Sequence, residues 1–256
     1  MVMTTLYTII SVIVVSLVSF VGIITLFFRK KKIDRLLLIL VSISAGTLFG
    51  GAFFHLIPEA VEESGSFSVS ISFLILAGIT IFFLLDKLIH WRHSHTESSL
   101  IHTTKENKPS VAYLNLLGDG FHNFLDGLII AGSYLVSIPT GIATTIAVVI
   151  HETPQEIADF GVLMYSGLSK WKALLFNFFS ATLAIAGAIV GLILGTQSEI
   201  FMVAIVPFAG GAFIYIAGSN LIPELLRKNH GLKILLQQFL AFVVGIIIMY
   251  GLLFLE

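Results

Sequence analysis

The sequence predicts an all-α polytopic membrane protein with eight transmembrane helices, and three observations carry that expectation. Of 256 residues, 57% are hydrophobic and 11% charged, with a mean hydropathy of +1.00, far from the composition of soluble domains. Apolar runs able to cross ~30 Å of hydrocarbon, about 20 residues at 1.5 Å each, recur near 4–28, 36–57, 68–89, 111–136, 139–166, 171–195, 200–226 and 232–255. Finally, all 14 Lys and Arg fall in or beside alternate connections between these runs.

The first run has no basic segment before it and no A-x-A cleavage site, and RKKK follows it, so it reads as a retained helix rather than a signal peptide. Arg29, Lys30, Lys31, Lys32 and Arg35 occupy the first connection, and Lys87, Arg92, Lys105 and Lys108 flank the third, 90–110. Lys170 and Lys172 mark the fifth, and Arg227, Lys228 and Lys233 the seventh. The intervening connections, 58–67, 137–138 and 196–199, carry none. The positive-inside rule therefore places the basic loops in the cytoplasm and both termini outside. A misplaced span would have scrambled this alternation, so the charges support the count of eight.

The whole chain, 1–256, then reads as one transmembrane domain. The absence of cysteine excludes a disulfide framework, a thiolate metal site and a cysteine nucleophile. No G-x-x-x-x-G-K-[ST] motif occurs, and no soluble segment could hold a nucleotide domain. An internal repeat adds topology: GGAFFHLIPEA at 50–60 closes the second helix, while GGAF at 210–213 and NLIPEL at 220–225 shape the seventh. Similar segments on oppositely directed spans suggest a 3+2+3 plan, helices 1–3 and 6–8 forming inverted repeats around helices 4 and 5. Small residues in SISAGTLFGG and ATLAIAGAIVG would let helices approach closely.

Polar residues inside such spans are the informative ones, because a carboxylate at a helix centre costs about 2.5–3.5 kcal/mol on the insertion scale. The fourth helix carries Asp119, His122, Asn123 and Asp126 in GDGFHNFLDG, and the fifth carries His151, Glu152, Gln155, Glu156 and Asp159 in HETPQEIADF. Counted from the helix starts, His122 and His151 lie about 16–18 Å deep, near the midplane. His122 with Asp126, His151 with Gln155, and Glu152 with Glu156 are i, i+4 pairs, so each helix presents N and O donors on one face. Imidazole plus carboxylate without thiolate suits zinc, and also iron(II), manganese or cobalt. Four buried carboxylates, Asp119, Asp126, Glu152 and Glu156, would cost on the order of 10 kcal/mol, and no Lys or Arg lies deep in any span. A bound divalent cation or carboxyl protonation must compensate. Pro154 removes a backbone N–H beside these ligands and is expected to loosen the fifth helix.

At these residues the chain resembles the ZIP (Zrt/Irt-like) family of divalent-metal transporters, over essentially all eight spans. HNFLDG is similar to the family's H-N-x-x-[DE]-G, and HETPQE to its H-[NE]-x-P-x-[EG], nearest the branch with H-E-x-P-H-E. The resemblance implies import of Zn²⁺, or of Fe²⁺, Mn²⁺, Cd²⁺ or Co²⁺, across a plasma membrane. It also implies a binuclear site in which His122, Asp126, His151 and Gln155 hold one metal and Asn123, Asp126, Glu152 and Gln155 the other. Glu156 and Asp159 would then stand behind these ligands or on the exit path. Two positions depart from the pattern: Gln155 stands where Glu or His is usual, and Asn220 where relatives often have Asp. Both are neutral amides, so a second ion should be weakly held or absent.

His55, with Glu59 just beyond, would form an outer station, and His90, His93, His95 and His102 supply imidazoles to a cytoplasmic loop. Expected partners are the metal ions and membrane lipid, with no organic cofactor and no nucleic acid; monomer and homodimer both stay open. An intramembrane zinc protease would need a second His four residues after His151, where Gln155 stands. A metal-stabilised receptor or scaffold is not separated from a transporter by these residues alone.

Overall fold

The computed structural model describes residues 2–27, 30–98, 108–197, 199–226 and 231–255. Among them the chain forms eight helical rods and no strand. Helix α1 covers 2–26, its last turns wound as a 3₁₀ helix from Ser19 to Leu26. Helix α2 covers 30–64, α3 is Val69–Ser98, α4 Lys108–Val136 and α5 Ile138–Tyr165. Helix α6 covers 170–197 with a break at Thr182, α7 covers 199–226, and α8 is Leu232–Leu252. Six stretches are long and apolar enough to cross a membrane: Val2–Ile24, Arg35–Ser64, Val69–Lys87, Lys170–Gly195, Val203–Leu221 and Leu232–Leu252. Helices α4 and α5 stand apart from these six. At 29 and 28 residues they have the length, but they carry the acidic residues of the centre.

Two expected connections are shorter than the sequence suggested. Residues 58–64, read as part of an outer loop, are helical: Pro58 directly follows the π-helical turn Gly51–Leu56, in which the Ile57 N–H reaches back to the Ala52 carbonyl, and the rod continues past the proline to Ser64. Gly65, at φ +76°, then stops the helix in a left-handed conformation that suits glycine. The loop expected from residue 90 begins later, since α3 runs on through Ser98 without a Pro or Gly to break it. His90, His93 and His95 therefore stand on helix; His102 lies outside the described residues.

Helix α2 passes through a π-helical turn, Gly51–Leu56, and α7 through another, Ile216–Leu221. Each is followed directly by Ile-Pro-Glu, at 57–59 and 222–224. Paired glycines bring helices into backbone contact: a Cβ placed on Gly127 of α4 would lie 1.8 Å from the Ala184 carbonyl of α6, and one on Gly187 equally close to that of Phe124. Gly46 and Gly245 do the same for α2 and α8, and Gly78 and Gly211 for α3 and α7. Leu48, Leu56, Ile129, Ile130, Val148 and Phe213 are among the buried residues of the main apolar core.

The α5 start is set locally. Ser137 is extended and accepts a hydrogen bond from the Thr140 N–H at 3.1 Å, with Pro139 in the first turn, so α4 and α5 are joined by one residue. The two helices are thus held antiparallel with their polar faces together.

Candidate metal centre

Four side-chain atoms from α4 and α5 converge. His151 Nε2 lies 3.3 Å from Asp126 Oδ2, 3.3 Å from Glu152 Oε1 and 3.3 Å from His122 Nε2. His122 Nε2 lies 3.4 Å from Glu152 Oε1 and 3.7 Å from Asp126 Oδ2. The remaining separation, carboxylate to carboxylate, is within 4.8 Å. Tetrahedral edges of this size put a central point about 2.0–2.3 Å from each atom, matching zinc–nitrogen and zinc–oxygen bonds of about 2.0–2.2 Å. Asp126, His151 and Glu152 are fully buried or nearly so, and His122 is half-buried at the edge of a cavity.

The histidine tautomer agrees with this geometry. His151 Nδ1 donates to the Ala147 carbonyl at 3.1 Å, which leaves Nε2 of the neutral ring with its lone pair facing the centre. Two imidazole nitrogens 3.3 Å apart between two carboxylates are arranged as ligands. The orphaned atoms say the same: of eight buried side-chain N and O atoms without a hydrogen-bond partner among the described residues, seven belong to this region. They are both carboxylate oxygens of Asp126 and of Glu152, Asn123 Oδ1, Glu156 Oε1 and Asn177 Oδ1. Buried acceptors without donors are costly, and a divalent cation at the four-atom centre would satisfy one oxygen each of Asp126 and Glu152.

Pro154 does not break α5. The carbonyl it frees, that of Ile150, accepts from Ser44 Oγ of α2 at 2.8 Å, and the helix continues to Tyr165. The expected loosening is therefore corrected by a hydroxyl from another helix, beside His151.

Behind the four ligands, Asp119, Glu152 and Glu156 form a further group of carboxylates. Asn123 donates to Asp119 at 3.0 Å. Helix α6 adds Ser180, which donates to Asp119, and Asn177, which donates to Glu156. Neither α6 residue was singled out from sequence, although Asn177 is a lone amide within the apolar run ALLFNFFSA.

A cavity of about 350 Å³ leads from His122 and Asp119 past Gln155, Asp159 and Asn220. Asn115 donates to Asp159 at 3.1 Å, and Tyr215 to Asp86 at 3.0 Å, along its wall. Asp86, Asn115, Asp159 and Asn220 all lie toward the helix ends that adjoin the basic connections. His55 and Glu59 are at the opposite end. His55 is buried with Nε2 2.9 Å from the Met249 carbonyl, and Glu59 is half-buried. Thus the structure gathers the α4 and α5 residues and Asn220 around one centre and its cavity, and leaves His55 and Glu59 apart.

Fold and site together define a multi-pass, all-helical integral membrane protein with a buried group of imidazole and carboxylate atoms spaced so that they could hold a metal ion. Comparison with known proteins makes the assignment specific. A family model described as ZIP Zinc transporter matches residues 3–253, and the chain belongs to that family, one of transporters rather than enzymes. It is 32% identical to zinc transporter zipt-7.2 of Caenorhabditis elegans over 84% of this chain and 58% of that protein. It is 33% identical to zinc transporter ZIP13 of Pongo abelii over 82% of this chain and 65% of that protein. It is 30% identical to metal cation symporter ZIP14 of Xenopus tropicalis over 86% and 61%. The chain thus spans about three fifths of the length of these curated relatives.

Proposed function

We propose that this chain carries divalent transition-metal ions, zinc foremost, across a membrane into the cytoplasm through the α4–α5 centre. The observation that supports this most strongly is the set of four ligand atoms, 3.3–3.7 Å apart in the five separations above, with His122 at the edge of a cavity that runs toward the basic connections. The basic loops support a cytoplasmic position for that end. In this reading an ion held at the centre exchanges with the cytoplasm through that cavity. The relatives named as zinc transporters and as a metal cation symporter point the same way.

In this reading all eight rods span the membrane in a 3+2+3 inverted repeat with both termini outside. The matching π turns before Ile-Pro-Glu on α2 and α7 support the repeat, as do the glycine contacts, since the α2–α8 pair maps onto α7–α3. The ligands are His122, Asp126, His151 and Glu152, with Asn123, Gln155 and Glu156 beside them, and Asp119, Asp159 and Asn220 along the exit. His55 and Glu59 serve the outer side, and the histidines at 90, 93, 95 and 102 meet the ion inside. Fe²⁺, Mn²⁺, Cd²⁺ and Co²⁺ are alternative substrates, the plasma membrane is the expected location, and no organic cofactor is required.

Uptake into liposomes tests the proposal. Purified protein should carry Zn²⁺ or Cd²⁺ inward, and His122→Ala or Asp126→Ala should abolish it. Absence of metal flux in the wild type would refute transport and leave a metal-stabilised scaffold.

A further inference from the structure

A second cavity, separate from the metal centre, opens where the end of α1 meets the start of α6. It holds about 160 Å³ and is lined by Ile23, Leu26 and Phe27 on one side and by Lys170, Trp171 and Leu174 on the other. None of these residues lines the cavity beside His122. Leu174 is buried and Ile23 half-buried, both against a small apolar core with Phe160 and Leu163. Phe27 and Trp171 are open to the surroundings, at 79% and 65% exposure. The Phe27 N–H is tied to the Ile24 carbonyl at 3.1 Å, which holds the ring at the end of α1. Two stretches able to cross a membrane, Val2–Ile24 and Lys170–Gly195, end and begin at this cleft. It therefore lies where hydrocarbon gives way to headgroups, the depth at which an exposed Trp is at home.

Charge completes the picture. Lys170 Nζ lies 5.6 Å from the centroid of the Trp171 ring, so the indole face keeps the ammonium beside the cleft. Lys172 is exposed one residue further on, and in sequence RKKK at 29–32 follows Phe28. Neither 1–33 nor 160–198 contains an Asp or Glu, so both segments that meet here are cationic without a carboxylate of their own. An apolar slot with an ammonium at its edge, set at the membrane surface, matches the two halves of a phospholipid. A zwitterionic headgroup brings its own cation up against Lys170, whereas an anionic one brings none. We infer that this cleft binds one anionic phospholipid, with an acyl chain against Ile23, Leu26 and Leu174 and the phosphate at Lys170. The site stands independently of the metal centre, since it shares no residue with it.

Native mass spectrometry of the full chain in non-ionic detergent, titrated with phosphatidylglycerol or with phosphatidylcholine of the same acyl chains, tests this. One phosphatidylglycerol per chain should bind about tenfold more tightly than phosphatidylcholine, and millimolar inorganic phosphate should not displace it. Lys170→Glu, which reverses the charge at the edge, and Leu26→Trp, which crowds the slot, should each weaken phosphatidylglycerol by about tenfold. Lys233→Glu makes the same charge change at the start of α8 and should alter binding by less than about threefold. Wild-type elution and melting temperature certify that the variants are folded, and the exposed Lys170→Glu keeps the test decisive if Leu26→Trp does not fold. Equal binding of the two lipids, equal losses in Lys170→Glu and Lys233→Glu, or undiminished binding in Lys170→Glu would overturn the inference. Displacement by inorganic phosphate would also overturn it, leaving an anion site with no place for an acyl chain.

Discussion

Ser44→Ala tests how the metal helix survives its own proline. Ser44 is fully buried and its Oγ lies 2.8 Å from the Ile150 carbonyl, which Pro154 deprives of its helical donor. The same oxygen is 2.8 Å from the Leu40 carbonyl, but that group already accepts the Ser44 N–H within α2. Ile150 is the partner whose i+4 residue, Pro154, has no N–H to give. An orphaned buried acceptor costs about 1–3 kcal/mol, and because this pair is only partly buried the lower end applies, about 1–2 kcal/mol. For a chain of this length each kcal/mol moves the unfolding midpoint by roughly 2–4 °C, so Ser44→Ala should lower it by about 2–8 °C. Thermal unfolding in detergent, without and with Zn²⁺, measures this. Pro154→Ala returns an N–H that can reach Ile150, so Ser44→Ala should cost far less in that background, and Ser44→Thr should keep most of the stability. Additive losses in the double variant would refute the pairing of hydroxyl and proline.

Gly127→Ala should sharply reduce folded yield, because its Cβ would meet the Ala184 carbonyl at 1.8 Å, whereas Gly161→Ala, with nothing within 4 Å, should be neutral or slightly stabilising; size-exclusion yield and melting compare them. Zinc alone should bind with one tight equivalent per chain, and Gln155→Glu should raise this toward two by calorimetry; two tight ions in the wild type would contradict the weakening ascribed to the neutral amide. Deleting 90–105 should leave liposome uptake largely intact and alter its regulation in cells, and complete loss of transport would contradict an accessory role for the histidines of this segment. Acidification should weaken zinc binding, because protons compete for imidazole and carboxylate lone pairs; affinity that rises as pH falls would exclude this ligand set.

The centre could be read from sequence because its residues break two rules at once. His122, Asp126, His151 and Glu152 put charge at the membrane midplane, and their spacing places them on facing stripes of adjacent helices. Asn177 and Ser180 obey ordinary rules for a packed membrane helix, and only the packing of α6 against α5 and α4 gives them Glu156 and Asp119 as partners. Ser44 was hidden for the same reason: its partner carbonyl is 106 positions away. The helical stretch 58–64 was masked by its composition, since Pro58 and three glutamates read as a loop until the preceding π turn is known. Pairwise tertiary contacts, which leave no periodic trace in one sequence, account for what was missed.

X-ray absorption at the zinc edge of the loaded protein tests the central assignment most directly. The account predicts one four-coordinate zinc with two imidazole nitrogens and two carboxylate oxygens at about 2.0–2.2 Å, and one imidazole fewer in His122→Ala. A six-coordinate, all-oxygen zinc without imidazole scattering would contradict it.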